Sequence, residues 1–192
     1  MTPTPCPIGF ADLVDYWTGD APGETAERVE AHVFACADCA RLLADVEALG
    51  SAVAAVVRKG RFHSAITEDV LNRLARDGVR IRTYTLHPGD VVPCAVWAGD
   101  DLVVTRLRGD FTGLDSLTVV TRLASGEEVG RLADVPVPRG SEVLDAVSAA
   151  LLRQLPAATI QVTVTGRTGD GERSIGTYTL EHAGALDGED AQ

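Results

Sequence analysis

Residues 29–39 read Val-Glu-Ala-His-Val-Phe-Ala-Cys-Ala-Asp-Cys, which sets His32, Cys36 and Cys39 in an H-x3-C-x2-C spacing. Cys6 stands upstream, just before Pro7, so three of the four cysteines and one of the four histidines fall near the chain start. Thiolate and imidazole both suit a borderline-soft d10 cation, and a Cys3His set is a tetrahedral zinc complement. The step from His32 to Cys36 is about one helical turn, which brings both side chains to one side of a helix. The set therefore predicts Zn2+ held by Cys6, His32, Cys36 and Cys39. Isolated buried thiols are the plainer alternative, since free cysteine behaves as a small hydrophobe, but the spacing argues against chance. A dithiol redox pair at Cys36 and Cys39 is the sharper competitor. No strand precedes the motif and a histidine sits one turn upstream, both contrary to that reading. A c-type haem site is excluded because Ala40 stands where a histidine is required.

Working outward, the first 78 residues follow a helical period. Phe10, Leu13, Val14 and Trp17 mark one face of a short helix ending near Gly19, and Pro22-Gly23 punctuates the chain. A second helix is expected from about Glu24 to Ala35, with Val29, His32 and Val33 on its inward face. A third begins near Asp38 and carries Leu42, Val46, Leu49, Val53, Val56 and Val57 before Lys59-Gly60 stops it. Thr67 is an N-cap for a fourth helix with Val70, Leu71 and Leu74, closed by Asp77-Gly78.

From Val79 the period becomes two. Alternating or apolar runs at 79–86, 92–98, 102–107, 117–123, 159–165 and 174–180 are separated by turn residues, with Gly169-Asp170-Gly171 a hairpin signal. Residues 141–155 are ambiguous: Leu144, Val147, Leu151, Leu152 and Leu155 favour a helix, although 142–147 could open as a strand. Thr-Tyr-Thr-Leu occurs at 83–86 and 177–180, too short a match to make a repeat. The whole reads as an α+β chain. It comprises a zinc-bound bundle of about four helices over 1–78, an antiparallel β-sandwich over 79–183 and a flexible acidic tail over 184–192.

Composition narrows the functional classes. With 45% apolar and 23% charged residues among 192, the chain is globular rather than disordered. A formal charge of -11 lacks the basic footprint of a nucleic-acid binder but suits a basic protein partner. The longest apolar run, 52–57, is far short of the ~18 residues that span a bilayer, and no signal peptide is seen. A cytoplasmic location without membrane contact is expected. His63, His87, Cys94 and His182 remain. A second metal site from His87, Cys94 and His182 has no ligand grammar, and the simpler expectation is a buried Cys94 with exposed histidines at strand ends. Asp100, Asp101 and Asp170 read as turn residues. Ser64, Ser141 and Ser148 lack a nucleophile-elbow context, and no glycine-rich phosphate loop is present, so no enzyme activity is expected.

Cys6-Pro7, the run 13–20 (Leu-Val-Asp-Tyr-Trp-Thr-Gly-Asp), Val29-Glu30-Ala31-His32 and Cys36-Ala37-Asp38-Cys39 together resemble the zinc-binding anti-sigma factor domain. The resemblance covers about residues 4–77. It implies that Cys6, His32, Cys36 and Cys39 are the zinc ligands, and that the helices hold a sigma factor so that its polymerase-binding surface is covered. The chain departs from many members in lacking a transmembrane helix and in adding the β-rich half. That architecture resembles soluble members with a separate sensory domain, some of them metal-binding cupins, but the clustered histidines of a metal cupin are absent from the sequence. The expected function is a cytoplasmic anti-sigma factor for an extracytoplasmic-function sigma factor, its β domain sensing a signal or binding a partner. The alternative is a zinc-finger interaction adaptor without a sigma partner, the β domain binding a protein or small ligand. Zinc-bound thiolates can be oxidised to a disulfide with loss of metal, so redox release is compatible with the ligand set without being required by it.

Overall fold

The computed structural model describes residues 6–186. The chain divides into two compact units, one formed by residues up to 55 together with 68–78, the other by 56–67 together with 79 onward.

The helical unit contains α1 (Phe10–Thr18), α2 (Gly23–Ala35), most of α3 (Ala37–Arg58) and α4 (Glu68–Arg76). The backbone N–H of Gly9 donates to the Asp12 carboxylate at 2.9 Å, satisfying one of the free donors at the start of α1. Gly19, at φ 89°, ends the helix in the left-handed region that glycine adopts without a Cβ penalty. Ile8, Leu13, Val29 and Cys39 form the buried cluster of this unit, with Tyr16, Val33, Cys36 and Leu43 packed around it. Phe10 does not share that burial and is 57% exposed. The long apolar seam of α3 splits between two directions. Cys39, Val46 and Gly50, spaced by seven and four, share a buried face, whereas Leu42 and Leu49 lie on the exposed flank. Leu71 and Leu74 of α4 are buried. Its Arg73 guanidinium lies 4.6 Å from the Trp17 ring centroid and donates to the Trp17 carbonyl at 3.2 Å, while Arg76 donates to the Thr18 carbonyl. Two cations thus meet the carbonyl end of α1, where helix geometry favours positive charge.

The second unit contains β1 (His63–Ile66), β2 (Ile81–Leu86), β3 (Val91–Trp97), β4 (Leu102–Arg108), β5 (Ser116–Leu123), β6 (Glu128–Val135), β7 (Glu142–Ser148), α5 (Ala149–Leu152), β8 (Ala158–Thr168) and β9 (Gly171–Leu186). One sheet has the order β1-β7-β4-β2 and the other β3-β9-β8-β5-β6. Leu86, Leu107 and Val143 from the first sheet and Val119, Val162 and Tyr178 from the second belong to one core, the arrangement of a β-sandwich. Pairing is mostly antiparallel. The exceptions are β2 with β4, between which the chain crosses to the other sheet and back through β3, and β3 with β9, both pairs running parallel.

Several sequence expectations shift. Residues 142–148 form β7, and the helix that follows is the single turn α5. Strands β1 and β6 were not expected. β1 has four residues, and β6 is an edge strand that is mostly exposed and lacks a clean apolar alternation. Residues 56–67, read as part of the helical module, belong to the β unit. Ser148 explains part of this: its hydroxyl is fully buried, donates to the Val57 carbonyl at 3.0 Å and accepts from the Phe62 N–H at 3.0 Å. Residues 184–186, read as the start of a loose tail, complete β9, and 187–192 lie outside the described residues.

Candidate metal centre

Cys6, His32, Cys36 and Cys39 come from three places in the helical unit: the segment before α1, the last turn of α2 and the start of α3. Val29, fully buried one turn before His32, fixes the face of α2 that carries the imidazole. Cys36 has extended backbone between the helices, and its N–H returns to the His32 carbonyl at 2.9 Å, so α2 closes as α3 begins. Cys39 lies on the buried face of α3.

The four ligand atoms lie within 4.8 Å of one another. Cys6 Sγ is 3.0 Å from His32 Nε2 and 3.0 Å from Cys39 Sγ. Thiolates around a tetrahedral zinc stand about 3.8 Å apart, given a Zn–S bond of about 2.3 Å. The set therefore brackets the required spacing and needs only small side-chain adjustment. Among the described residues it is the one group of three or more His, Cys, Asp or Glu side chains close enough to share an ion.

The electrostatics carry the same message. The Cys36 thiol is held below its ordinary value chiefly by the Cys39 N–H and then the Asp38 N–H, free donors at the start of α3. Cys39 is pushed up to about 12, first by its hydrogen bond with the Cys6 thiol and then by burial. Three thiols this close cannot all ionise against one another's charge, and a divalent cation reverses that balance. The donor set fits a soft or borderline metal, zinc among them, with Cys6, His32, Cys36 and Cys39 as its holders. All four cysteines are free thiols.

The remaining candidates do not form a second metal site. His87 is on a turn, its Nδ1 3.4 Å from Asp90. Cys94 and His182 do meet, Sγ to Nδ1 at 3.8 Å, but the other ring nitrogen of His182 faces the Leu152 carbonyl at 3.2 Å. Burial pushes the Cys94 thiol up to about 11 and lowers the pKa of His182, which keeps both neutral and the thiol unreactive. The expectation of exposed histidines at strand ends fails for His182, which is 4% exposed. It also fails for His63, whose Nε2 lies 3.0 Å from the buried carboxylate of Asp145. Asp100 and Asp101 do sit at a turn, where they bind Arg82 at 2.7 Å and Arg80 at 3.2 Å. The His63–Asp145 pair is the polar feature that sequence reasoning missed. Its signal was an acidic residue within the apolar run Val143-Leu144-Asp145-Ala146-Val147.

Among the described residues, no helix is long and apolar enough to cross a membrane. No curated protein matches the chain. Among solved structures, the N-terminal domain of phage TP901-1 ORF48 aligns at 12% identity and a TM-score of 0.34, over 54% of this chain and 98% of that one. A likeness that slight carries no argument. Residues 11–40 match the family described as "Putative zinc-finger", a span that includes His32, Cys36 and Cys39 and leaves Cys6 outside.

Proposed function

We propose that the chain is a cytoplasmic zinc-binding anti-sigma factor that sequesters an extracytoplasmic-function sigma factor. It acts by binding and without catalysis, and its β unit senses a signal or binds a partner. Bound zinc supplies the positive charge that holds three thiolates and an imidazole together. The residues do the rest: Cys6 ties the chain start to the junction of α2 and α3, and His32 and Cys39 fix the angle between those helices.

The observation that carries the reading is the exposure of large apolar side chains on the two helices that hold this centre. Phe34 is 87% exposed at the end of α2, and Leu42 and Leu49 are 36% and 63% exposed on α3. Leu42 and Leu49, seven residues apart, share one face of α3, and exposed large apolar side chains of this kind mark protein interaction sites. The buried leucines of α4 leave α3 and the end of α2 as the gripping surface.

The test is co-expression of the chain with tagged candidate sigma factors, scoring co-purification and zinc content. A stable complex is expected with one of them. The double variant Leu42→Asp, Leu49→Asp is expected to lose the partner while keeping its zinc. Full zinc content with no sigma factor captured would instead favour the adaptor reading.

A further inference from the structure

The β unit holds a cavity of about 270 Å³ between its two sheets, partly open to solvent and lined at one side by α5. Its walls are largely apolar, with Val96, Val103, Ile160, Val162 and Leu180 among them. An apolar cavity of about 150 Å³ accepts benzene, so this one suits a molecule of roughly bicyclic aromatic size.

The polar groups on the wall are unequal. Tyr84 is satisfied, donating to the Ala95 carbonyl at 2.8 Å and accepting from the Ala95 N–H at 2.9 Å. His182 and Cys94 are occupied with each other and with the Leu152 carbonyl. Asp145 differs. The residue is 3% exposed, its Oδ1 faces His63 Nε2 at 3.0 Å, and its Oδ2 has no hydrogen-bond partner among the described residues. Thr105, 6% exposed, stands directly opposite Asp145 in the β4–β7 register, and its hydroxyl is likewise without a partner among them. Both residues line the cavity. Neither oxygen is sealed, so each is reachable by water, and a ligand donor in the cavity can displace that water from the carboxylate, a strong acceptor.

Charge decides the rest of the ligand's chemistry. Protonated His63 balances Asp145, and a second full charge brought into this apolar space would then go unpaired. We propose that the cavity binds a neutral molecule of bicyclic aromatic size that carries one N–H or O–H donor. The apolar body lies among the valine and leucine walls, and the donor sits on the Asp145 carboxylate beside Thr105. The inference goes beyond the sigma-binding reading and uses only residues of the β unit.

Indole and benzothiophene test it, because they share a shape and differ in the N–H donor. Each is titrated into the 15N-labelled full chain and followed by amide chemical shifts. Indole is expected to bind saturably, with shifts centred on β4, β7 and β8, and about tenfold more tightly than benzothiophene. Asp145→Asn should reduce that preference while benzothiophene still binds. Val147→Phe, which fills the cavity from β7, should abolish both. Should Asp145→Asn fail to fold, the indole-to-benzothiophene ratio in the parent chain and the Val147→Phe result decide the matter. No shifts at millimolar indole, equal affinity for the two probes, or shifts outside the cavity would overturn the proposal.

Discussion

Cys6→Ala isolates what the chain start contributes to the metal centre, and Cys6 is the one predicted ligand outside the span matched to a zinc-finger family. Its thiol meets His32 and Cys39, which lie 26 and 33 residues further along. Closing a loop of 33 residues costs an unfolded chain about 12 cal/mol/K of entropy, or about 3.7 kcal/mol at 25 °C, and folding of α1 against α2 offsets that cost before the thiol reaches the metal. His32, Cys36 and Cys39 still form a local clip after the substitution, so the variant should retain zinc. Its zinc affinity should fall by more than the about 100-fold that follows the loss of a group merely supporting a metal ligand, because a metal bond itself is lost. Chelator competition measures the affinity. A Trp97→Phe background leaves Trp17 as the sole tryptophan, so urea unfolding followed by its fluorescence reports on the helical unit. The Trp17 transition in zinc should move to lower urea, because Ile8, 6% exposed and two residues from Cys6, loses its anchor. Zinc affinity within threefold of the parent, with an unmoved transition, would refute the role given to Cys6.

Three further outcomes are expected. Gly50→Ala would place a methyl 2.0 Å from Trp17 Cζ2, so the ring must move, with a cost of about 1–3 kcal/mol and an altered near-ultraviolet dichroism. Ser148→Ala leaves the Phe62 N–H without its acceptor and should destabilise the β unit by about 1–3 kcal/mol in urea unfolding followed through Trp97. The pKa of His63 is raised, chiefly by its hydrogen bond to Asp145, so the stability it contributes is complete below about pH 6.5 and is lost as pH rises through the raised value. The stability difference between the parent and His63→Gln should therefore shrink with rising pH, and a difference that grows would contradict the assignment.

The metal centre was legible because its residues are chemically rare and three of them are local in sequence. His32, Cys36 and Cys39 span a helix end and a helix start, where turn geometry alone brings them together. Helix α3 was legible as a helix but not in its facing. A seam read from Leu42 to Val57 mixes two stripes, and only tertiary packing separates buried Val46 from exposed Leu49. β7 was hidden because Val143, Leu144 and Val147 satisfy a helical period as well as a strand's, and the neighbouring strands β1 and β4 decide between them. The cavity was illegible for a deeper reason. His63 and Asp145 are 82 residues apart and meet only through the β1–β7 register.

That register has a consequence for how the molecule can be divided. The chain leaves the helical unit after residue 55, supplies β1 to the edge of a sheet, and returns for α4. A single cut at the 78/79 boundary therefore yields no two intact pieces. The N-terminal fragment would carry a strand with nothing to pair with. The C-terminal fragment would expose β7 as a new edge, open to pairing with other chains, and would strand the Asp145 carboxylate without its imidazole. Transplanting the helical module requires excising 56–67 and splicing α3 to α4, and transplanting the β unit requires two segments rather than one. The two units are interleaved along the chain, so neither can be exchanged by simple end-to-end fusion.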